Sequence, residues 1–150
     1  MATWQEFTVA APELAAFGTQ RLEGKVAYLA TRRPDGGPRV HPVTPHTARG
    51  YLFVYMEPTS PKAHDLRRDS RYALHCSVED TSGGEGEFSL LGQARVIDDP
   101  TVRAALFEAA KAAGYHPQDR YVVFELGIES ASSTIYERGE PVRRRWKAER

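Results

Sequence analysis

Cysteine is nearly absent from this chain, which carries only Cys76 among 150 residues. One thiol cannot form a disulfide within one chain, and its position in an apolar run suits a small buried side chain in a reducing compartment. No stretch approaches the 18 apolar residues of a membrane span. The first residues also lack the basic start and apolar core of a signal peptide. We therefore expect a cytoplasmic protein without a membrane partner.

A net charge is missing as well, because 20 Lys and Arg side chains balance 20 Asp and Glu side chains. This balance gives no reason to expect nucleic acid as the main partner. The sequence contains no H-E-x-x-H, C-x-x-C or G-x-S-x-G motif. Its five histidines are not spaced as a metal site, and His41 and His46 would face opposite sides of one strand. We expect no metal, and no catalytic residue is predicted.

Alternating apolar residues and frequent turn signals predict a mainly β protein of six to seven antiparallel strands with three peripheral helices. This pattern favours a barrel or sandwich in a single domain that covers residues 1–150. The predicted strands are residues 25–31, 38–47, 51–56, 72–78, 87–97, 121–136 and 140–147. The predicted helices are residues 12–23, 61–69 and 101–113.

The segment GGPRVHPVTP, residues 36–45, places three prolines between two apolar strands. Proline cannot donate a hydrogen bond to a neighbouring strand, so a strand built this way pairs poorly on at least one edge. Arg39 and His41 share one face of it with Val43, because side chains alternate along a strand. That polar pair is either simply exposed to solvent or forms the rim of a ligand groove.

Lys62 follows Ser60 and Pro61, which are typical of the N-cap and first position of a helix. The start of a helix offers free N–H groups and the positive end of the helix dipole, both of which favour an anion. A lysine at this point opposes the dipole unless an anion lies between them. Lys62 is therefore either a phosphate-binding residue or an ordinary solvated lysine.

Three segments together resemble the pyridoxamine 5'-phosphate oxidase-like family of flavin- and deazaflavin-binding split β-barrels. They are PDGGPRVHPVTP (34–45), GYLFVYMEPTSPKAHDLRRDSRYAL (50–74) and EFSLLGQARVIDDP (87–100). They occur in the family's order and with similar spacing across about residues 20–110. The resemblance implies a homodimer that binds FMN in clefts between its subunits and acts on a small-molecule substrate.

The resemblance also implies the residues that contact the cofactor. Residues 39–44 match the segment that runs along the flavin ring, and Ser60 and Lys62 match a phosphate-binding Ser-Arg-Lys run. Glu87 matches a glutamine that reaches the flavin from the second subunit, whereas Trp146 either approaches the flavin or packs on the barrel. The implied cofactor-binding residues are Arg39, Val40, His41, Pro42, Val43, Thr44, Val54, Tyr55, Ser60, Lys62, Glu87 and Trp146.

The chain departs from the oxidase pattern at several positions. Pro61 replaces the arginine of Ser-Arg-Lys, Thr44 replaces a lysine, and residues 134–147 lack the Arg-Leu-His-Asp-Arg pattern that grips pyridoxal phosphate. The resemblance therefore implies a flavin-dependent oxidoreductase. Because the residues that grip pyridoxal phosphate are missing, vitamin B6 is not the expected substrate. A deazaflavin in place of FMN, a non-catalytic flavin- or haem-binding protein, and a structural dimer without a cofactor are the alternatives.

Overall fold

The computed structural model describes residues 1–149, which form four helices and eight strands. The helices are α1 (Trp4–Ala10), α2 (Pro12–Leu22), α3 (Pro61–Arg68) and α4 (Pro100–Ala112). The strands are β1 (Ala27–Arg32), β2 (Pro38–Val43), β3 (His46–Ala48), β4 (Tyr51–Met56), β5 (Arg71–Cys76), β6 (Glu87–Val96), β7 (Val122–Glu137) and β8 (Glu140–Lys147). The mainly β class and the peripheral helices predicted from the sequence are confirmed.

The structure has eight strands where six or seven were predicted, because the segment expected as a single strand over residues 38–47 is divided. Thr44 and Pro45 separate β2 from β3. The chain also has a helix that the sequence reading missed, α1. Thr3 caps it, accepting a hydrogen bond from the Glu6 amide while the Glu6 carboxylate accepts one from the Thr3 amide.

All strands pair antiparallel in one sheet with the order β2-β1-β5-β6-β7-β4-β3, and β8 pairs with the far part of β7. β2 and β3 follow each other in the chain but lie at the two ends of this path. The sheet thus bends round on itself without closing its hydrogen-bonded ladder, as expected of a split barrel. One core cluster fills the interior and includes Leu29, Leu52, Val54, Leu74 and Phe124.

Strand β4 contributes to two cores because its side chains alternate. Val54 belongs to the interior, whereas Phe53 packs with Ile97, Leu106 and Val123 in a second cluster. Leu106 lies on α4, so this helix covers the outer side of β4 and β7. The two faces of β4 are therefore both buried, which explains its nearly continuous apolar sequence.

The prolines of β2 all fall on the same alternate positions. Pro38 pairs with Arg32 and Pro42 with Tyr28 on β1. Since proline has no N–H, the hydrogen bonds to β1 must use the other positions, Arg39, His41 and Val43. The missing donors therefore lie on the free edge of β2, and the ladder to β1 stays intact.

The outer face of β2, β1, β5 and β6 carries exposed apolar and small side chains. Val40, Ala30, Ala73 and Leu91 are direct neighbours in a row across the four strands. Val40 is 62% exposed and Leu91 52% exposed, and Tyr28 beside them is 45% exposed. We refer to Tyr28, Ala30, Val40, Ala73 and Leu91 as the outer apolar face.

A candidate anion and cofactor site at the start of helix α3

The start of α3 is fixed as the sequence predicts. The Ser60 hydroxyl accepts a hydrogen bond from the Ala63 amide at 3.3 Å and donates one to the Glu57 carbonyl at 2.8 Å. Pro61 occupies the first helical position. Because its hydroxyl already makes both bonds, Ser60 shapes the helix start in this conformation and has no spare proton to offer an anion.

Lys62 lies in the first turn of α3 and is partly buried. Among residues 1–149, none of the ion pairs within 4.0 Å includes Lys62. Burial lowers the pKa of its ammonium group, since removing a cation from water disfavours the charged form. The helix start therefore presents a partly desolvated cation without a counter-charge.

Arg39 is held in place by Asp65, a residue of α3 that is 1% exposed. The Asp65 carboxylate accepts hydrogen bonds from Arg39 Nε at 2.7 Å, Thr31 Oγ1 at 2.8 Å and Arg68 at 3.2 Å. Burial alone would raise the pKa of Asp65, but these three donors outweigh it and leave the pKa below its usual value. Asp65 thus stays ionised and positions Arg39.

His41 lies two residues from Arg39 on the same face of β2. Its Nε2 is buried and has no hydrogen-bond partner among residues 1–149. Burial lowers the pKa of His41, and the neighbouring charges of Lys62 and Arg39 lower it further while Asp65 raises it. Arg39, His41 and Lys62, which we call the cationic group, are therefore close neighbours, and the charges of Arg39 and Lys62 help to keep the His41 imidazole neutral.

The other predicted cofactor residues on β2 and β4 lie on several different surfaces. Val43 and Val54 point into the interior core and expose 7% and 0% of their surface. Val40 and Pro42 are exposed on the outer side of β2, and Thr44 is partly buried between β2 and β3. Within one chain, the structure therefore brings Arg39 and His41 close to Lys62. The other predicted residues of β2 and β4 belong to the interior core or to the outer surface.

Tyr55 points away from the interior and lies beneath α4. Its hydroxyl is buried without a partner among residues 1–149, and its ring stacks on Tyr115 with the ring centres 6.0 Å apart. Burial raises the pKa of Tyr55, with a smaller opposing effect from Arg103. Neither the hydrogen bonds nor the ion pairs of the described chain connect Tyr55 to the cationic group.

Glu87 and Trp146 also lie apart from the cationic group within one chain. Glu87 begins β6, and its carboxylate is 3.5 Å from Nε2 of His75. The ring of Trp146 packs on Phe7 of α1, with the ring centres 5.0 Å apart. Packing on the barrel, one of the two roles expected for Trp146, is therefore what a single chain shows. A flavin contact from a second subunit stays a prediction for both residues.

Asp65 and Thr31 help to build the candidate site, and sequence reasoning missed them. A signal existed in α3, where Asp65 lies between Ala63 and Leu66, both of which are buried. A carboxylate among the buried positions of a helix requires partners, since an unpaired buried charge is costly. The sequence could not identify the partners, because Thr31 and Arg39 reach Asp65 only through the pairing of β1 with β2 and the packing of α3.

A sequence model described as pyridoxamine 5'-phosphate oxidase matches residues 12–134 of this chain. The chain belongs to the pyridoxamine 5'-phosphate oxidase-like family. The match covers the cationic group, the outer apolar face and most of β7. This confirms the family resemblance that the sequence segments indicated.

Solved structures with the same fold include members with different described roles. A putative pyridoxamine 5'-phosphate oxidase from Listeria innocua is 17% identical, with 80% of this chain and 94% of that chain covered and a TM-score of 0.65. PhzG from Burkholderia lata 383, solved with tetrahydrophenazine-1-carboxylic acid, is 16% identical, with 97% and 87% covered and a TM-score of 0.65. At these identities the similarity shows the fold alone.

A haem-binding protein from Mycobacterium smegmatis is similar as well. It is 20% identical, with a TM-score of 0.64 over 86% of this chain, which spans 57% of that protein's length. A search of the curated proteins finds no significant match. The family match and these solved structures show the split-barrel fold, and proteins of this fold carry names that describe different ligands.

No helix of residues 1–149 is long and apolar enough to cross a membrane. The same residues contain no group of three or more His, Cys, Asp or Glu side chains placed to hold a metal ion.

Proposed function

We propose that this protein is a flavin-dependent oxidoreductase that binds FMN in a cleft between two subunits. The observation that carries the proposal is Lys62, a partly buried cation without a counter-charge at the N-terminus of α3. Beside it, His41 Nε2 is a buried polar atom without a partner. A phosphorylated ligand with hydrogen-bonding ring atoms would satisfy both groups.

The phosphate of FMN fits the start of α3 for two reasons. The positive end of the α3 dipole stabilises an anion, and the Lys62 amide is a first-turn N–H that neither Pro61 nor the Ser60 cap removes. Lys62 adds a full positive charge whose partial desolvation strengthens its interaction with a phosphate. Pro61, which replaces the family's arginine, contributes no charge, so Lys62 carries more of this interaction than it would in a Ser-Arg-Lys site.

The flavin, when bound, would supply the hydride or electron transfer to or from an unidentified small molecule. The residues of this chain bind and orient it. Asp65 fixes the guanidinium of Arg39 on the ligand side of β2, and His41 offers a neutral imidazole. The buried side chain of Val43, on the same face of β2 as Arg39 and His41, would form an apolar wall that limits the access of water.

A homodimer completes the proposed cleft. No element among residues 1–149 covers the outer apolar face, and exposed apolar patches of this kind are typical of protein–protein contacts. A second subunit on this face would also bring its own Glu87 and Trp146 towards the flavin, which accounts for their distance from Lys62 within one chain. The dimer is therefore part of the same proposal.

The cofactor retained on purification is the first test. We expect a yellow protein whose absorbance and released ligand identify FMN, and whose colour is bleached by a reductant such as NAD(P)H. Release of a deazaflavin would show that the cofactor is not FMN but would leave the proposed binding site unchanged. A haem spectrum would favour the alternative of a non-catalytic haem-binding protein. Failure of both FMN and deazaflavin to bind in a fluorescence titration would refute the flavin proposal.

Lys62→Ala tests the phosphate contact directly. Loss of a charge-assisted hydrogen bond should weaken FMN binding by about 10- to 100-fold. Riboflavin, which lacks the phosphate, should bind the variant nearly as well as the original protein. Lys111→Ala is the matched control, because Lys111 is an exposed lysine on α4 that pairs with Glu108. Equal losses for FMN and riboflavin would show that Lys62 does not contact the phosphate.

A further inference from the structure

A cleft of about 500 Å³ lies between the residues that precede α1 and the paired strands β6 and β7. Its lining includes Ala2, Thr3, Ala94, Arg95, Glu125 and Gly127. None of the twelve cofactor-binding residues implied by the family resemblance lines it. The cleft is therefore a feature that the flavin proposal leaves unused.

Glu125 gives this cleft a buried negative charge. It lies on β7 between Phe53 of β4 and Arg95 of β6, and it is 2% exposed. Its Oε1 accepts a hydrogen bond from Arg95 Nε at 2.6 Å, but its Oε2 is buried and has no donor among residues 1–149. A buried carboxylate oxygen without a donor is costly, so this atom favours a ligand that brings one.

Arg95 contacts only one of the two carboxylate oxygens of Glu125, Oε1. The Arg95 side chain is 72% exposed, so its guanidinium remains largely in water, while the carboxylate beneath it does not. Interactions of an exposed group are weakened by solvent screening. A second cation on the buried side of Glu125 would therefore still be stabilised.

Gly127 leaves the floor of the cleft without a side chain. A Cβ at this position would lie 3.1 Å from the Gln93 carbonyl oxygen and 3.0 Å from the sulfur of Met1. The Gly127 carbonyl accepts a hydrogen bond from the buried Tyr72 hydroxyl at 2.9 Å, which fixes the backbone here. The space beside Glu125 is thus bounded by firm backbone, by Ala2 and by the Met1 side chain that lies over Gly127.

We propose that this cleft binds a small organic ammonium ion, a protonated primary amine with a short apolar body. Its N–H groups would donate to Oε2 of Glu125, and its carbon chain would lie against Ala2 and the Met1 side chain. A metal ion fits less well, because Glu125 is the only carboxylate or imidazole among the lining residues. The site is independent of the flavin and of its cleft.

The test uses the purified full-length protein and n-butylammonium chloride at neutral pH, followed by ¹H–¹⁵N NMR titration. We expect saturable shifts of the Ala94 and Gly127 amides, and at least tenfold weaker binding of n-butanol, which has the same carbon chain without the charge. Glu125→Gln should weaken n-butylammonium binding at least tenfold. Glu129→Gln, an exposed glutamate on the same strand, should leave it unchanged.

Gly127→Ala provides a second variant that keeps the carboxylate but places a methyl group in the floor of the cleft. It should also weaken n-butylammonium binding about tenfold while FMN binding stays unchanged, and it decides the matter if Glu125→Gln does not fold. Absence of saturable shifts would overturn the proposal. So would equal binding by the original protein and either of these two variants.

Discussion

Asp65 is the residue on which the geometry of the cationic group depends. Its buried carboxylate connects β1, β2 and α3 through Thr31, Arg39 and Arg68. Thr31 lies on β1 and Arg39 on β2, whereas Asp65 lies on α3. This one side chain therefore determines how the start of α3 is placed relative to the edge strand β2. The Asp65 carboxylate thus both positions Arg39 and stabilises the barrel.

Asp65→Asn should lower the free energy of unfolding by about 2 kcal/mol, because three donors lose a charged acceptor. Arg39 would also lose its fixed orientation, so FMN should bind several-fold more weakly even at temperatures where the variant is folded. Urea denaturation and FMN titration measure the two effects. Asp98→Asn, an exposed carboxylate, serves as the control. An unchanged denaturation midpoint for Asp65→Asn would contradict this role.

His46 is a buried histidine with an unusual surrounding. It is 2% exposed, both ring nitrogens lack partners among residues 1–149, and the Tyr115 ring centre is 4.7 Å from its own. Phe53 and Tyr55 also face it, and Glu23 Oε1 lies 4.0 Å from Nδ1. Burial lowers the pKa of His46, and the Glu23 carboxylate offsets this only in part.

This environment predicts a loss of stability in mild acid. A histidine whose pKa is lower in the folded state is protonated first in the unfolded state, so stability is full above the unfolded pKa of about 6.5 and falls as the pH drops below it. The decrease in melting temperature between pH 7.5 and pH 5 should be smaller in His46→Phe than in the original protein. The exposed His116→Gln should keep the full decrease, and an equal decrease in all three proteins would exclude His46 as its source.

At the scale of elements, the sequence predicts well those segments whose signals are local. The limits of β4 and β8 are as predicted, and Ser60 and Pro61 begin α3 as expected. β7 continues for 16 residues, with a register shift opposite Leu91 and Gly92 of β6. These elements follow alternation, capping and proline preferences that act within a few residues.

Elements and contacts that depend on distant partners were harder to predict. The Thr3–Glu6 capping box that starts α1 is visible in the sequence, but only its bridge to β7 and the packing of Trp4 and Phe7 make a seven-residue helix stable. The break between β2 and β3 reflects their places at opposite ends of the sheet. The face of β4 that Tyr55 occupies could not be assigned, because both faces of that strand are buried.

The last strand, β8, supplies a prediction at this scale. Trp146 connects it to α1 through Phe7. Trp146→Ala should remove partly buried aromatic surface and destabilise the protein by about 2 kcal/mol, with faster hydrogen exchange in β8 and α1. Trp146→Phe retains most of the packing and should recover most of the stability. If Trp146→Ala weakens FMN binding without changing exchange or stability, the ring acts on the flavin of the second subunit instead.

At the scale of the whole molecule, the outer apolar face predicts that association and cofactor binding are linked. Val40→Glu places a charge at the β2 end of the row that runs from β2 to β6, and burying an unpaired charge in an interface is costly. Sedimentation velocity should show a monomer at concentrations where the original protein is a dimer, and FMN affinity should fall in parallel. Val9→Glu, at a 73% exposed position on α1, should change neither. A dimeric Val40→Glu protein with full FMN affinity would contradict the proposed interface.

The prolines of β2 also restrict the ways in which copies of this chain can meet. The strand ends the sheet, and a sheet that ends in free N–H groups can be extended by another chain, which leads to fibrous aggregates. At Pro38 and Pro42 that rim offers ring carbons where an incoming strand requires donors. Copies of this chain that associate at this side must therefore contact each other through side chains on the face of the sheet. One partner covers that face, so further copies cannot add to the assembly.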